Sequence, residues 1–331
     1  MKWRIWLVFL TLPLFSSELE DRISALEAQM SEVGTKTPEG GYGERLTTES
    51  FQRGWVSICF SGEALYWNTK LGGNEYVYDL ARKYIGLSSE KKEELEEQNF
   101  DWDWGYRGGV ALGLNFIGWD LVGNYTHFKT QDIQSCPKDL FLYFNDSASL
   151  EDTHSFYKIV YDSVDVELKR SSFLSRFFGM GTSLGMKIIW IDQAQEVSST
   201  SYHLKDHCFF HGLGPRLGGH LKWHLLYGIS LLGNVSGSIL YGDYDVKHTG
   251  SSINIEGQTQ LFAANLGFFM GMGWDYYGKK CHVALGLGYE GEYCWRQNRV
   301  VEVKSAPRLQ IVRYADDLTF YGITCKARIE F

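Results

Sequence analysis

The sequence Leu318-Thr-Phe-Tyr-Gly-Ile-Thr-Cys-Lys-Ala-Arg-Ile-Glu-Phe331 alternates between two kinds of side chain from Tyr321 onward. Counting back from Phe331 in steps of two gives only apolar residues, Ile329, Ala327, Cys325, Ile323 and Tyr321. The residues between them are Glu330, Arg328, Lys326, Thr324 and Gly322. Successive side chains of a β-strand point to opposite faces, so one face is apolar and the other polar or charged. Barrel strands in outer membranes separate lipid from lumen in this way, and we therefore expect a membrane-spanning strand here.

The end of the chain also resembles the assembly signal of bacterial outer-membrane proteins, a terminal aromatic residue preceded by apolar residues at alternate positions. The residues that would form this signal are Tyr321, Ile323, Ile329 and Phe331. The expected partners are therefore outer-membrane lipid and the outer-membrane assembly machinery, and the expected location is the outer membrane of a Gram-negative bacterium.

Composition fits a large β-domain in a chain of 331 residues. Glycine is abundant at 36 residues, aromatic residues reach 15%, and proline is scarce at 5 residues, as suits many long strands. After the N-terminus no run of eighteen or so apolar residues predicts a transmembrane helix. The net charge of −8 gives no basic surface for nucleic acid.

The same alternation recurs along the chain and predicts an all-β fold, an antiparallel up-and-down transmembrane barrel. The expected strands are 55–67, 102–116, 119–128, 156–169, 177–191, 210–223, 227–241, 258–274, 281–295 and 318–331. Short turns and long polar loops alternate between them, as in barrels whose two ends lie in the periplasm. The count is about ten. Twelve remain open, because the first two long loops contain the strand-like stretches Glu75–Asp79 and Asp139–Phe144.

The segment before the barrel divides into three parts. Residues 1–17 read as a cleaved secretory signal, with Lys2 and Arg4 ahead of the apolar run Ile5–Phe15; a retained anchor is the alternative. Residues 18–34 carry apolar side chains at alternating spacings of four and three, which indicates a short periplasmic coiled-coil helix that could support a homotrimer. A single amphipathic helix or a partly disordered leader remains open. Residues 35–54 are a linker, and 55–331 form the barrel.

The polar faces of the strands predict a charge-lined lumen. The candidate pore-lining residues are Asp103, Arg107, Asp120, Lys187, Arg216, His220, Lys222, Glu290, Glu292, Lys326 and Arg328. Mixed charges around a water-filled channel select ions and small polar solutes by size and charge. In a narrow barrel the same charges could instead pair and plug the lumen.

The six cysteines show no metal-binding spacing, so no metal or cofactor is expected. Cys136 and Cys208 fall in predicted loops and are candidates for disulfides, within the chain or between chains. No Ser–His–Asp order or phosphate-binding glycine loop appears, and the chain is not expected to be an enzyme.

Four stretches resemble the Legionella-type major outer-membrane protein family, which also occurs in chlamydia-like bacteria. They are Asp101-Trp-Asp-Trp-Gly-Tyr-Arg-Gly-Gly109, Trp119–Phe128, Gly212–His224 and Ser230–Gly242. The resemblance runs from about Trp55 to Phe331 and implies a pore-forming outer-membrane protein, sometimes disulfide-linked. The six cysteines depart from the family pattern, which leaves the bonding scheme open.

The leading hypothesis is therefore a passive porin for ions and small polar solutes. The alternative is a closed structural or adhesive barrel whose cysteines cross-link the envelope. An outer-membrane protease or lipase and a soluble secreted β-sandwich are the remaining readings.

Overall fold

A computed structural model describes residues 56–72, 75–78, 95–97, 99–114, 118–136, 140–142, 149–150, 153–175, 177–199, 203–225, 228–250, 254–278, 281–304 and 310–331. The predicted signal, coiled-coil helix and linker, residues 1–17, 18–34 and 35–54, lie outside these ranges. No helix in the described part is long and apolar enough to span a bilayer.

The described residues form strands joined by turns. In chain order the strands are β1 (Val56–Leu71), β2 (Glu75–Tyr78), β3 (Leu95–Glu97), β4 (Asp103–Leu114), β5 (Trp119–Cys136), β6 (Leu140–Leu142), β7 (Ser149–Leu150), β8 (Thr153–Ser175), β9 (Phe178–Ser198), β10 (His203–His224), β11 (Ile229–Thr249), β12 (Asn254–Tyr277), β13 (His282–Lys304) and β14 (Gln310–Glu330).

Ten of these strands close into one antiparallel barrel in the order β1-β14-β13-β12-β11-β10-β9-β8-β5-β4, and β4 pairs back onto β1. The C-terminal strand closes the barrel against the first strand, with Ala64 opposite Cys325 and Gly62 opposite Ala327. Closure removes both sheet edges, so no strand of the barrel presents a row of unpaired backbone N–H and C=O groups to lipid. The prediction of an all-β antiparallel barrel of ten strands is confirmed.

The outer surface carries a continuous apolar belt. Met270 and Phe262 are each 73% exposed and Leu217 is 64% exposed, which in water would be costly for so many large side chains. On β10 the belt runs from Leu213 to Trp223, the length of about 9–11 residues that a tilted strand needs to cross a bilayer. Exposed aromatic side chains flank the belt, among them Trp104, Tyr241, Trp223 and Trp274. This is the arrangement of a barrel that sits in a membrane.

The barrel has two unlike ends. At the short-turn end, which also holds the start of β1 and the end of β14, neighbouring strands are joined by the brief connections after Leu114, Ser175, His224 and Tyr277. Gly228 forms one of these turns with φ of 79°, a backbone conformation that side chains with a Cβ rarely adopt. The long-loop end holds the other connections.

The strands extend further toward the long-loop end than the sequence predicts. Residues 129–136, 192–198 and 203–207 were expected in loops and instead belong to β5, β9 and β10. Beyond the apolar belt the outward side chains become polar, so hydrophobic alternation fades although the hydrogen-bonded ladder continues. The strand-like stretches Glu75–Asp79 and Asp139–Phe144 do contain β2 and β6, but these pair in a separate four-stranded sheet, β3-β2-β6-β7. The alternative prediction of twelve barrel strands is therefore wrong.

Candidate functional site: the barrel lumen

Ionised side chains of opposite sign fill the middle of the lumen. We call this set the charged layer: Glu63, Arg107, Asp165, Glu167, Lys187, Arg216, Glu290 and Glu292. They come from β1, β4, β8, β9, β10 and β13, where each occupies an inward position of the strand alternation. The register of each strand is fixed, because a slip of one residue would turn the inward charges of that strand toward lipid.

The charged layer is extensively paired. Arg107 Nη1 lies 2.6 Å from Glu63 Oε2 and 2.9 Å from Glu290 Oε1, so one guanidinium bridges two strands. Lys187 Nζ lies 2.5 Å from Glu292 Oε1. Arg216 Nε lies 2.5 Å from Glu167 Oε1, and its Nη1 lies 3.3 Å from Asp165 Oδ1. Charges taken out of water need such partners, because desolvation is costly.

A second set of side chains, the apolar layer, closes the lumen between the charged layer and the long-loop end. Its largest members, fully buried, are Leu65, Trp67, Phe128, Ile159, Tyr161, Phe210, Tyr244 and Phe320. Every barrel strand except β4 contributes to the cluster that contains them. The rings pack closely, with centroid distances of 5.4 Å between Phe128 and Phe320 and 5.0 Å between Tyr161 and Phe320. None of these side chains is more than 1% exposed, so within the described residues no water-filled path runs between them.

Hydrogen bonds join the two layers. Tyr161 donates its hydroxyl proton to Glu292 Oε1 at 3.2 Å. The Trp67 indole donates to Thr324 Oγ1 at 3.1 Å, and the Thr324 hydroxyl donates to Glu290 Oε2 at 2.7 Å. The Tyr161 hydroxyl thus bonds to a carboxylate directly, and the Trp67 indole is linked to one through Thr324.

Two contacts cover the apolar layer on its long-loop side. Phe100, just before β4, is buried and packs edge-on against Tyr157 with a centroid distance of 5.6 Å. Gln193 of β9 donates to the backbone oxygen of Gln297 of β13 at 3.0 Å. A bulge in β13 between Cys294 and Asn298 brings that backbone inward, with Arg296 at φ of 55°.

A cavity of about 270 Å³ lies on the other side of the charged layer, toward the short-turn end. Acidic and basic side chains line it in equal number, together with hydroxyl and amide groups such as Ser57, Asn124 and Asn234. Since a volume of only about 10–15 Å³ of this kind holds one water, the cavity has room for many waters or a small polar solute.

A linked cluster of charges lies at the short-turn end. Lys222 Nζ lies 2.9 Å from Asp275 Oδ2, and the His282 ring contacts both Asp275 at 3.0 Å and Glu330 at 3.5 Å. Arg328 lies 3.3 Å from the same Glu330. The cluster ties together β10, β12, β13 and β14 where the barrel strands begin and end.

Ten of the eleven candidate pore-lining residues line this cavity: Arg107, Asp120, Lys187, Arg216, His220, Lys222, Glu290, Glu292, Lys326 and Arg328. Asp103 is the first residue of β4, at the level of Trp67, and is not among the lining residues. The structure thus brings the predicted lumen charges together in one place. Their role in conduction stays a prediction.

The other candidate residues also have defined places. Ile323, Ile329 and Phe331 are exposed on the outward face at the end of the chain, and Tyr321 shares their phase. Cys136 is the last residue of β5 and Cys208 lies buried within β10, so the prediction that they lie in loops is wrong. The side chain of Cys136 lies outside the described set, and the disulfides stay predictions.

Sequence reasoning missed the apolar layer. Phe320 and Leu318 occupy the same strand phase as Thr324 and Lys326, so the inner face of β14 changes from polar to apolar along its length. Such a change within one phase is the signal that could have revealed it.

Solved structures similar to this chain are outer-membrane barrels. The outer membrane protease OmpT from Escherichia coli aligns with a TM-score of 0.50 and 10% sequence identity, over 86% of this chain and 99% of OmpT. The toluene transporters TbuX from Ralstonia pickettii and TodX from Pseudomonas putida align with TM-scores of 0.33 and 0.30 and identities of 9% and 8%. They are covered over 95% and 90% of their own chains, and 90% and 85% of this chain. The likeness to OmpT shows the fold alone.

No curated protein matches the chain. The profile of one family, described as Legionella pneumophila major outer membrane protein precursor, matches residues 52–331 and so covers the entire barrel. The barrel, its apolar belt and this match agree: the chain belongs to the Legionella major outer membrane protein family and is an outer-membrane β-barrel.

Proposed function

We propose that this outer-membrane barrel is a porin of small bore, which passes ions and small polar solutes through its charge-lined lumen. The observation that carries the proposal is the contrast between the two halves of the lumen. One half is filled with apolar side chains, whereas the other holds ionised groups around a cavity of about 270 Å³.

Filling with apolar side chains is the less costly way to stabilise a narrow barrel. A buried ion pair is weak evidence for stability, because desolvation offsets much of the attraction. Apolar side chains fill the part of the lumen that is closed, and charged side chains line the part that contains the cavity. Charged walls around water are what a passage for hydrated ions requires.

In the conformation described, the apolar layer blocks this passage. Conduction therefore requires its aromatic side chains to move, and we expect short, infrequent openings.

A second function, a closed structural or adhesive surface barrel, is favoured by the apolar layer itself. Side chains with no water contact form a permanent closure if they do not move. The strands that extend beyond the belt toward the long-loop end would then serve to present surface loops. A homotrimer and disulfides between chains stay predictions under either function.

Catalysis is not part of the proposal. OmpT is named a protease, but a likeness at 10% identity bears on the fold alone. An enzymatic reading predicts that a rim substitution such as Asp103→Ala abolishes turnover while the barrel still folds.

Single-channel conductance in a planar bilayer separates the two functions. The full chain, refolded in detergent, is measured with and without reductant. A porin gives discrete steps, and Arg216→Gln changes their ion selectivity, whereas the outward-facing Lys205→Gln does not. A heat-modifiable, β-rich protein that gives no steps at sustained voltage would refute the porin and leave the structural barrel.

A further inference from the structure

In the cavity next to the charged layer, basic and acidic side chains differ in their exposure. Acidic and basic groups line it in equal number, but the side chains of its ion pairs are not equally exposed. Among the side chains that form ion pairs within the cavity, the most exposed are basic: Arg328 is 27% exposed, and Lys169 and Lys326 are each 24% exposed. The carboxylates that they face are less exposed, at 15% for Glu63, 5% for Glu167 and 1% for Glu330.

Lys169 and Lys326 differ from four other lumen cations in their contacts. Arg107, Lys187, Arg216 and Lys222 all lie within 3.0 Å of a carboxylate oxygen. By contrast, Lys169 Nζ lies 3.8 Å from Glu167, and Lys326 Nζ lies 3.8 Å from Glu63. These distances are too long for a hydrogen bond, so the two ammonium groups keep donor protons for another acceptor.

Both lysines act in the same region of the lumen. Each lines the same cavity as the Glu63 carboxylate, although Lys169 lies on β8 and Lys326 on β14. Lys326 is held in place from one side, because its Nζ lies 3.7 Å from the centre of the Phe269 ring. The two cations therefore reach into one space from different walls.

Neutral groups of the cavity can complete a site for an oxygen-rich anion. Ser57 and Ser61 present hydroxyls and Asn124 and Asn234 present amides, all on the cavity wall. Lysine is a common partner of phosphate, and its attraction is strengthened where low-dielectric walls surround the site.

We propose that this cavity binds a small oxyanion, of the phosphate class, between Lys169 and Lys326. The apolar layer closes the cavity on one side, so the anion enters and leaves from the short-turn end. Binding at this site does not depend on conduction, and the site exists in the closed conformation. In a conducting barrel the same two lysines would draw anions into the lumen.

Inorganic phosphate is the probe, titrated calorimetrically into the full chain in a maltoside detergent at low salt. The detergent contains no phosphate, so lipid headgroups cannot supply the ligand. We expect saturable binding that is weakened at least about tenfold in Lys169→Gln/Lys326→Gln, since each lysine contributes a charge-assisted contact. Lys205→Gln is the matched control, because Lys205 faces outward and is 56% exposed.

The outcomes are distinct. Saturable binding that is lost in the double variant and kept in Lys205→Gln supports the site. Binding that survives in the double variant places the anion elsewhere and overturns the proposal. A folded, heat-modifiable wild-type protein that shows no saturable binding also overturns it, whatever the bilayer recordings show.

Discussion

At the scale of single residues, Lys187 and Glu292 form a buried ion pair in the lumen. Both side chains are buried and their polar atoms lie 2.5 Å apart, while Asp165, the other carboxylate paired with Lys187, is 3.8 Å away. Glu292 also accepts the proton of the Tyr161 hydroxyl. The pair thus holds together β9, β13 and β8.

Glu292→Gln should destabilise the barrel strongly. The Lys187 ammonium would remain buried without its close carboxylate, and breaking a buried pair in this way costs about 3–5 kcal/mol in the free energy of unfolding. Urea unfolding in lipid vesicles, followed by tryptophan fluorescence, measures this loss.

Two controls define the cause. Replacing both partners by methionine should cost much less, because no charge is left unpaired. Glu256→Gln should change the free energy of unfolding by at most about 1 kcal/mol, because the Lys247–Glu256 pair is exposed to solvent. A small effect of Glu292→Gln would show that water reaches Lys187.

At the scale of the strand, β12 shows how one face meets two environments. Met270 and Gln258 have the same outward phase, but Met270 lies in the apolar belt and Gln258 lies toward the long-loop end, opposite Asp245 of β11. The two side chains share one face of the strand, so their surroundings differ only because they lie at different depths relative to the membrane.

Met270→Arg should lower the free energy of unfolding in lipid by about 2–4 kcal/mol, the cost of an arginine on the lipid face near the bilayer midplane. Gln258→Arg, on the same face of the same strand, should leave it almost unchanged. Equal effects of the two substitutions would contradict the position of the belt.

The bulge of β13 makes another prediction at this scale. Arg296 has φ of 55°, a conformation that costs about 1–2 kcal/mol for a residue with a Cβ and little for glycine. Its backbone N–H donates to Asp317 Oδ1 at 2.8 Å, a bond that any residue other than proline keeps. Arg296→Gly should therefore preserve or raise thermal stability, and Arg296→Val should lower it, as differential scanning calorimetry would show. The reverse order would mean that the bulge is not formed in the membrane.

At the scale of the whole molecule, the sequence predicted the architecture because the membrane imposes a period. Every lipid-facing residue of β14 and β12 is apolar or small within the belt, and this alternation located the strands and the inward charges Arg107, Lys187 and Glu292. The alternation also predicted an even number of barrel strands, because the first strand starts and the last strand ends on the same side of the membrane.

The full length of the strands and the apolar layer were not predicted, because the surroundings of the side chains change twice along the strands. Outside the belt, water replaces lipid, so the outward residues of β9 and β10 such as Asp192 and His207 no longer mark strands by polarity. Inside the lumen, Phe320 and Trp67 replace charges by apolar packing without changing phase. Which charge pairs with which depends on the stagger of the strands around the barrel, and alternation within one strand does not contain that information.

The closed lumen makes a direct prediction for transport. Phe320 packs against Trp67, Phe128 and Tyr161, and its removal would open space in the apolar layer next to the charged layer. Phe268→Ala is the matched control, because Phe268 faces lipid and is 46% exposed. Phe128→Leu provides a milder change in the same layer, should Phe320→Ala fail to fold.

The most direct measurement is therefore the single-channel conductance of Phe320→Ala and Phe128→Leu beside that of the wild-type protein and Phe268→Ala, each shown to fold by heat-modifiable mobility. The apolar layer as a movable closure predicts more frequent or longer openings in Phe320→Ala and Phe128→Leu, and wild-type behaviour in Phe268→Ala. Identical recordings from all four proteins would contradict it, because the passage would then not run through the apolar layer.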